Sequence, residues 1–139
     1  MERRTFLKTV GGATGGLALG LDAAGGAEGP PAEVERVAGV PRRVLGRTGQ
    51  KLSVVGFPGL ALIHCVQPAC TAGLRSALER GINYFDVAPA YGNGQCETKM
   101  GIGLEGVPRD SYFLACKTKQ SDKAGAREEL EHSLKLLKT

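Results

Sequence analysis

Three side chains that together can handle a proton lie close in the sequence. Asp86 and Tyr91 fall in GINYFDVAPAYGNG, and Lys117 closes the run YFLACK. The first run reads as a short apolar strand that ends on the carboxylate and opens into a loop carrying the phenol. The second reads as a strand that ends on the amine. A nearby ammonium favours ionisation of a phenol, and a carboxylate beyond the ammonium fixes its position. An acid, a phenol and an amine at one rim of a parallel sheet are therefore the parts of a proton donor working near neutral pH, as reduction of a carbonyl requires. Each residue also has a plainer reading: Asp86 as a loop acid or helix N-cap, Tyr91 as a packing ring, Lys117 as a strand end reaching for water. The order strand-Asp, loop-Tyr, strand-Lys is what sets the group apart.

These residues need elements to hold them. RRVLGRTGQKLSVVGF contains two extended runs, Arg43 to Leu45 and Lys51 to Val54, separated by Gly46, Thr48 and Gly49, which predicts a hairpin. The second run continues through Val55 and Phe57 toward a first parallel strand. Pro68 to Arg80 places Ala69, Leu74, Ala77 and Leu78 at helical spacing, with Gly81 to end the helix. Ile82 to Val87 reads as a strand, Gly94 to Leu104 as a helix, Ser111 to Lys117 as a strand and Ser121 to Lys138 as a helix. In the last helix Leu130, Leu134 and Leu137 share one face and Glu128, Glu131, Lys135 and Lys138 the other. Strand and helix in alternation predict right-handed parallel units.

The region ahead of Pro41 has a different character. Residues 1–27 read as a targeting segment: Arg3 and Arg4 in ERRTFLKT precede a glycine-rich apolar stretch from Val10 to Leu21, then small residues around Ala23 to Ala27. The pattern resembles a twin-arginine export signal, which implies passage through the twin-arginine machinery in the folded state and a periplasmic or other extracytoplasmic location. The apolar stretch is too short for a membrane span, and Asp22 ends it. Residues 28–40, with Pro30 and Pro31, read as a linker. Residues 41–139 form the foldable part.

A net charge of +4, no Lys/Arg block and only seven aromatic residues in 139 argue against nucleic acid as a partner. The four cysteines, Cys65, Cys70, Cys96 and Cys116, contain no CxxC pair and no metal-site spacing, so they read as structural thiols. Spacing leaves a Cys65–Cys70 disulfide open.

Taken together, LGRTGQKLSVVGF, GINYFDVAPAYGNG, the Lys117 strand and the closing LEHSLKLL resemble the amino-terminal part of the aldo/keto reductase family. The resemblance covers nearly everything from Pro41 onward. It implies an α/β fold, the (β/α)8 TIM barrel, present here as an incomplete portion: the hairpin plus about three βα units. It implies NADPH as cofactor and a small-molecule aldehyde or ketone as substrate. Carried over by motif, Tyr91 is the proton donor, Lys117 its partner, and Asp86 the anchor of that lysine and a residue of the cofactor rim.

Two departures stand out. Pro58 in GFPGL takes a place where the family usually has glycine, and proline removes a backbone donor. Neither His64 nor His132 matches the family's catalytic histidine, which the resemblance puts just past Thr139 together with the segments that clamp the adenosine phosphate. The chain by itself is thus expected to be inactive, with two other readings beside it: a non-catalytic short product, or an exported cysteine-based redox or metal-binding protein.

Overall fold

The structure, a computed structural model, describes residues 34–139. The targeting segment and the start of the linker lie outside the described residues. The described chain begins with a three-stranded antiparallel sheet of β1 (Arg36–Val37), β2 (Val40–Val44) and β3 (Lys51–Ser53). Arg36, Val37 and Val40 fall within the stretch read as linker, yet they pair: Arg36 with Pro41, Val37 with Val40. Ala38 and Gly39, with φ of 47° and 83°, supply the two left-handed residues that such a tight turn needs.

A second sheet is parallel, in the order β4 (Phe57–Pro58), β5 (Tyr84–Asp86), β6 (Phe113–Ala115). Its connections are α1 (Gln67–Glu79), which follows a 3-10 turn at Gly59–Leu62, and α2 (Gln95–Gly103); α3 (Lys123–Leu137) follows β6. Each strand is shorter than its apolar run, and each helix lies within two residues of its expected bounds. Helix α1 stops where Gly81 takes φ 87°. Asp122 caps α3 by accepting the Gly125 N–H at 2.9 Å.

Side chains alternate along the parallel strands, and the alternation sorts them by chemistry. Phe85 and Val87 are wholly buried with Leu74, Cys70, Cys96 and Met100 in a single core between sheet and helices. Leu114 and Cys116 pack against that core from β6. Tyr84 and Asp86 point the other way, where Tyr84 meets Phe113 with ring centroids 6.0 Å apart. The helices approach closely because glycine lines their contacts: a Cβ on Gly101 would overlap the Leu136 carbonyl, and one on Gly103 would overlap the Leu74 side chain.

Asn83, just ahead of β5, joins the two sheets. Its Oδ1 accepts the Ser53 N–H at 2.7 Å, its Nδ2 donates to the Lys51 carbonyl at 2.9 Å, and its own carbonyl accepts the Phe113 N–H at 2.7 Å. The antiparallel sheet is thereby fastened to the amino ends of the parallel strands. Their carboxyl ends stay free of it.

The leucine face of α3 is only partly covered. Leu137 is buried, along with Ser133, but Leu130 is 50% exposed and Leu134 39%. Helix α3 packs on α2, where Gly101 lies against Leu136 and Leu137, so the buried seam includes Ser133 and Leu137. Three leucines at helical spacing mark an apolar stripe; they do not say how much of it a neighbour covers.

Candidate active site

Asp86 is the last residue of β5, and Lys117 lies two residues beyond the end of β6. The register pairs Asp86 with Ala115, so the alternation that turns Ala115 toward Asp86 turns Lys117 the same way. Lys117 Nζ donates to Asp86 Oδ1 at 2.5 Å, to Oδ2 at 2.7 Å and to the Val87 carbonyl at 3.3 Å. Gly59 supports this end from β4's side: a Cβ there would overlap the Asp86 carbonyl, so only glycine lets the first βα turn lie this close.

Tyr91 is brought back over the rim by a run of three left-handed residues, Gly92, Asn93 and Gly94, with φ of 63°, 52° and 86°. The Tyr91 N–H donates to Ala88 O at 2.9 Å and the Gly94 N–H to Pro89 O at 3.0 Å, which closes the loop. Lys117 Nζ stands 5.0 Å from the centre of the Tyr91 ring, inside the range of a cation–π contact. The acid, the amine and the phenol named from the sequence are therefore together at the carboxyl end of the strands.

The electrostatics of Lys117 follow from this arrangement. Partial burial pulls an ammonium down, but the Asp86 carboxylate, and after it the Tyr91 hydroxyl, outweigh that pull and hold Lys117 above its ordinary 10.5. The amine is a fixed cation at any pH near neutral. It remains open to solvent, its side chain 46% exposed and that of Asp86 32%, so the pair orients groups more than it stabilises the fold.

Several residues around the rim were not read from the sequence. Glu97, in the first turn of α2, is wholly buried behind β6, where its Oε1 accepts from Cys116 Sγ at 3.4 Å. Among the described residues its Oε2 and the buried Ser133 Oγ find no hydrogen-bond partner. Burial pushes the Cys116 thiol up. A carboxylate three residues after Gly94 occupies the capping-box position, the one signal that could have singled it out. Glu129 of α3 accepts from Thr118 Oγ1 at 2.5 Å and from the Lys119 N–H at 2.7 Å, tying down the loop that leaves Lys117. Those two donors hold the Glu129 carboxyl below its ordinary 4.5.

His64, in the loop before α1, and His132, on α3, are both exposed. All four cysteines are free thiols. Among the described residues no three of His, Cys, Asp and Glu gather as a metal site would require, and no helix is long and apolar enough to cross a membrane.

Comparison with known proteins gives one consistent family. The model of the aldo/keto reductase family matches residues 67–139. L-galactose dehydrogenase of Arabidopsis thaliana is 41% identical over 81 residues, covering 54% of this chain and 25% of that protein. An aldo-keto reductase of Bacillus subtilis is 40% identical over 77 residues, covering 48% and 23%. The chain thus spans about a quarter of the length of these curated relatives. Among solved structures, an aldo-keto reductase from Bacillus halodurans superposes with a TM-score of 0.62 at 28% identity, over 72% of this chain and 37% of that one. One from Klebsiella pneumoniae, solved in complex with NADPH, gives 0.58 at 27% identity, over 64% and 32%. The fold is that of the (β/α)8 barrels; the described residues hold three of its parallel strands and no closed barrel.

Proposed function

The chain belongs to the aldo/keto reductase family, and from that premise we propose that it forms the proton-donating rim of an NADPH-dependent enzyme that reduces an aldehyde or ketone. The observation that carries the reading is the Lys117–Asp86 contact at 2.5 Å with the Tyr91 ring 5.0 Å from the same ammonium. Tyr91 donates the proton to the carbonyl oxygen. Lys117 stabilises the phenolate left behind, and Asp86 holds Lys117 in place.

The donor set on this rim fits the reacting end of the cofactor: an acid, an amine and a phenol facing the open side of the sheet. NADPH, when bound, supplies the hydride. Asp86 is the residue of this chain assigned to the cofactor side of the rim. A relative crystallised with NADPH supports that choice of nucleotide.

With NADPH and an aldehyde, the 139-residue chain is expected to show no steady cofactor oxidation, because three strands leave the rim open to water. Joined to the later strands of a relative, it is expected to reduce the aldehyde, and Tyr91→Phe should then lower the rate by about 10²–10⁴-fold, the usual contribution of a general acid. Undiminished reduction by Tyr91→Phe would remove Tyr91 from the mechanism.

Export belongs to the same proposal. Arg3 and Arg4, ahead of the glycine-rich apolar stretch, support delivery by the twin-arginine machinery to an extracytoplasmic location. Cell fractionation is expected to recover the chain outside the cytoplasm and to recover Arg3→Lys/Arg4→Lys inside it. Equal distribution of the two would count against export by this route.

A further inference from the structure

The first βα loop, from Gly59 to Val66, enters α1 through two thiols. Val66 is the N-cap of α1, so Cys65 is the residue just before the cap and Cys70 the fourth residue of the helix. In many helices these two positions carry apolar side chains that pack on each other and fix the angle at which the chain enters. Here both carry sulfur. Cys70 Sγ donates to the Cys65 carbonyl at 3.5 Å and to the Leu62 carbonyl at 3.8 Å, so it faces the loop and not the far side of the helix. Cys65 is exposed and Cys70 buried, which gives one thiol that a small oxidant reaches and one behind it.

We propose that Cys65 and Cys70 are an oxidisable pair that closes to a disulfide under peroxide and locks the first βα loop. The Cys65 thiolate attacks one peroxide oxygen; an S–O bond forms, the O–O bond breaks, and the leaving oxygen departs as water after taking a proton. The Cys70 thiolate then attacks the Cys65 sulfur; the S–S bond forms, the S–O bond breaks, and a second water leaves. Two thiols and one hydrogen peroxide give one disulfide and two waters. The sulfurs are oxidised and the peroxide oxygens reduced.

The surroundings suit this sequence. Burial pushes the Cys70 thiol up, Lys99 opposes that, and the adjoining Cys65 thiol pushes it further up. The exposed Cys65 thiol meets the oxidant first, and the Lys99 ammonium favours the Cys70 thiolate that the second step requires. Cys96 is also buried and also raised, and it has no comparable opening to solvent.

Closure would reach the rim through two contacts. Lys99 Nζ donates to the carbonyls of Leu62, Ile63 and Cys65 at 2.8, 3.2 and 2.8 Å, so the loop is tied to α2. Ile63 packs on Gly92, where a Cβ would come within 3.1 Å of Ile63 Cγ1, and Gly92 follows Tyr91 directly. The pairing of the thiols does not depend on the carbonyl-reduction reading; it predicts chemistry of the chain with no cofactor or substrate present.

The test is mass spectrometry of the 139-residue chain, reduced, desalted and then exposed to hydrogen peroxide. Trypsin releases Leu52–Arg75 as a peptide containing Cys65 and Cys70 and no other cysteine. That peptide is expected to lose two hydrogens, and titration under denaturing conditions to show two of the four thiols gone. Amide exchange across Ile63 to Val66 should slow in the oxidised form. Cys65→Ser, a change at an exposed position, should abolish the two-hydrogen loss while leaving the fold intact by circular dichroism. The proposal is overturned if Cys65 gains oxygen atoms while Cys70 stays reduced, or if the link forms to Cys96, to Cys116 or between chains.

Discussion

The two faces of the parallel sheet obey different rules. On the helical face Phe85, Val87, Leu74 and Met100 have no solvent exposure, and glycines at 101 and 103 bring the helices into contact. On the other face Tyr84 and Asp86 are half-exposed, and Val54 and Val55 nearby are about half open to water. The closed face is where the folding energy is concentrated. The open face carries Asp86 and Lys117, each oriented by the other and neither sealed from water.

That division can be broken or sharpened by substitution. Phe85→Ala, on the closed face, removes a ring that meets Phe57 and Tyr112 and should lower the unfolding free energy by about 3–5 kcal/mol. Urea denaturation measures it, and a loss under 1 kcal/mol would mean that the core is not where the stability lies. Lys117→Met, on the open face, keeps the stem and removes the charge; the same measurement should show a change of about 1 kcal/mol or less, as for other solvent-accessible pairs. A large loss there would show that the rim, too, carries the fold.

The smallest effect concerns pH. The Glu129 carboxyl titrates below 4.5 in the fold, so its tie to Thr118 and Lys119 is present above the unfolded value and is lost as pH falls through the lowered one. Lys117 has the opposite sign: its pairing is intact through neutral pH and is lost only as pH rises past the raised value, above 10.5. The protection factor of the Lys119 amide, with the intrinsic slowing of exchange in acid divided out, should therefore fall at low pH while the Phe85 region keeps its protection. Simultaneous loss of both would merge the two regions into one cooperative unit.

The helices and the meeting of Asp86, Tyr91 and Lys117 at one rim were legible in the sequence because each is announced locally. Periodicity marks α1, and a strand ending on Asp or Lys places that side chain at a rim whatever surrounds it. The hairpin at Arg36 to Val40 was hidden, since Ala38–Gly39 lacks the Asn-Gly signature and the strand has only two residues. The exposure of Leu130 and Leu134 was hidden for another reason: coverage depends on what packs against a helix, and that information is not in the helix. Glu97 was hidden because a buried carboxylate and a solvated one look identical in sequence. Its neighbour Cys116, one residue from Lys117, is what marks it once the strands are in place.

The alternation along β6 makes the packing layer a proofreader of the chemistry. Sliding β6 by one residue against β5 would bring the Cys116 sulfur to the Asp86 side, turn Leu114 out of the core and draw Lys117 into the place beside Glu97 that Cys116 holds. A leucine turned out to water and an ammonium drawn out of it both cost free energy, and the Asp86 carboxylate loses its partner, so the misaligned pairing is disfavoured. Greasy residues with no part in proton transfer thus bias the sheet toward the register in which the amine arrives on the correct side.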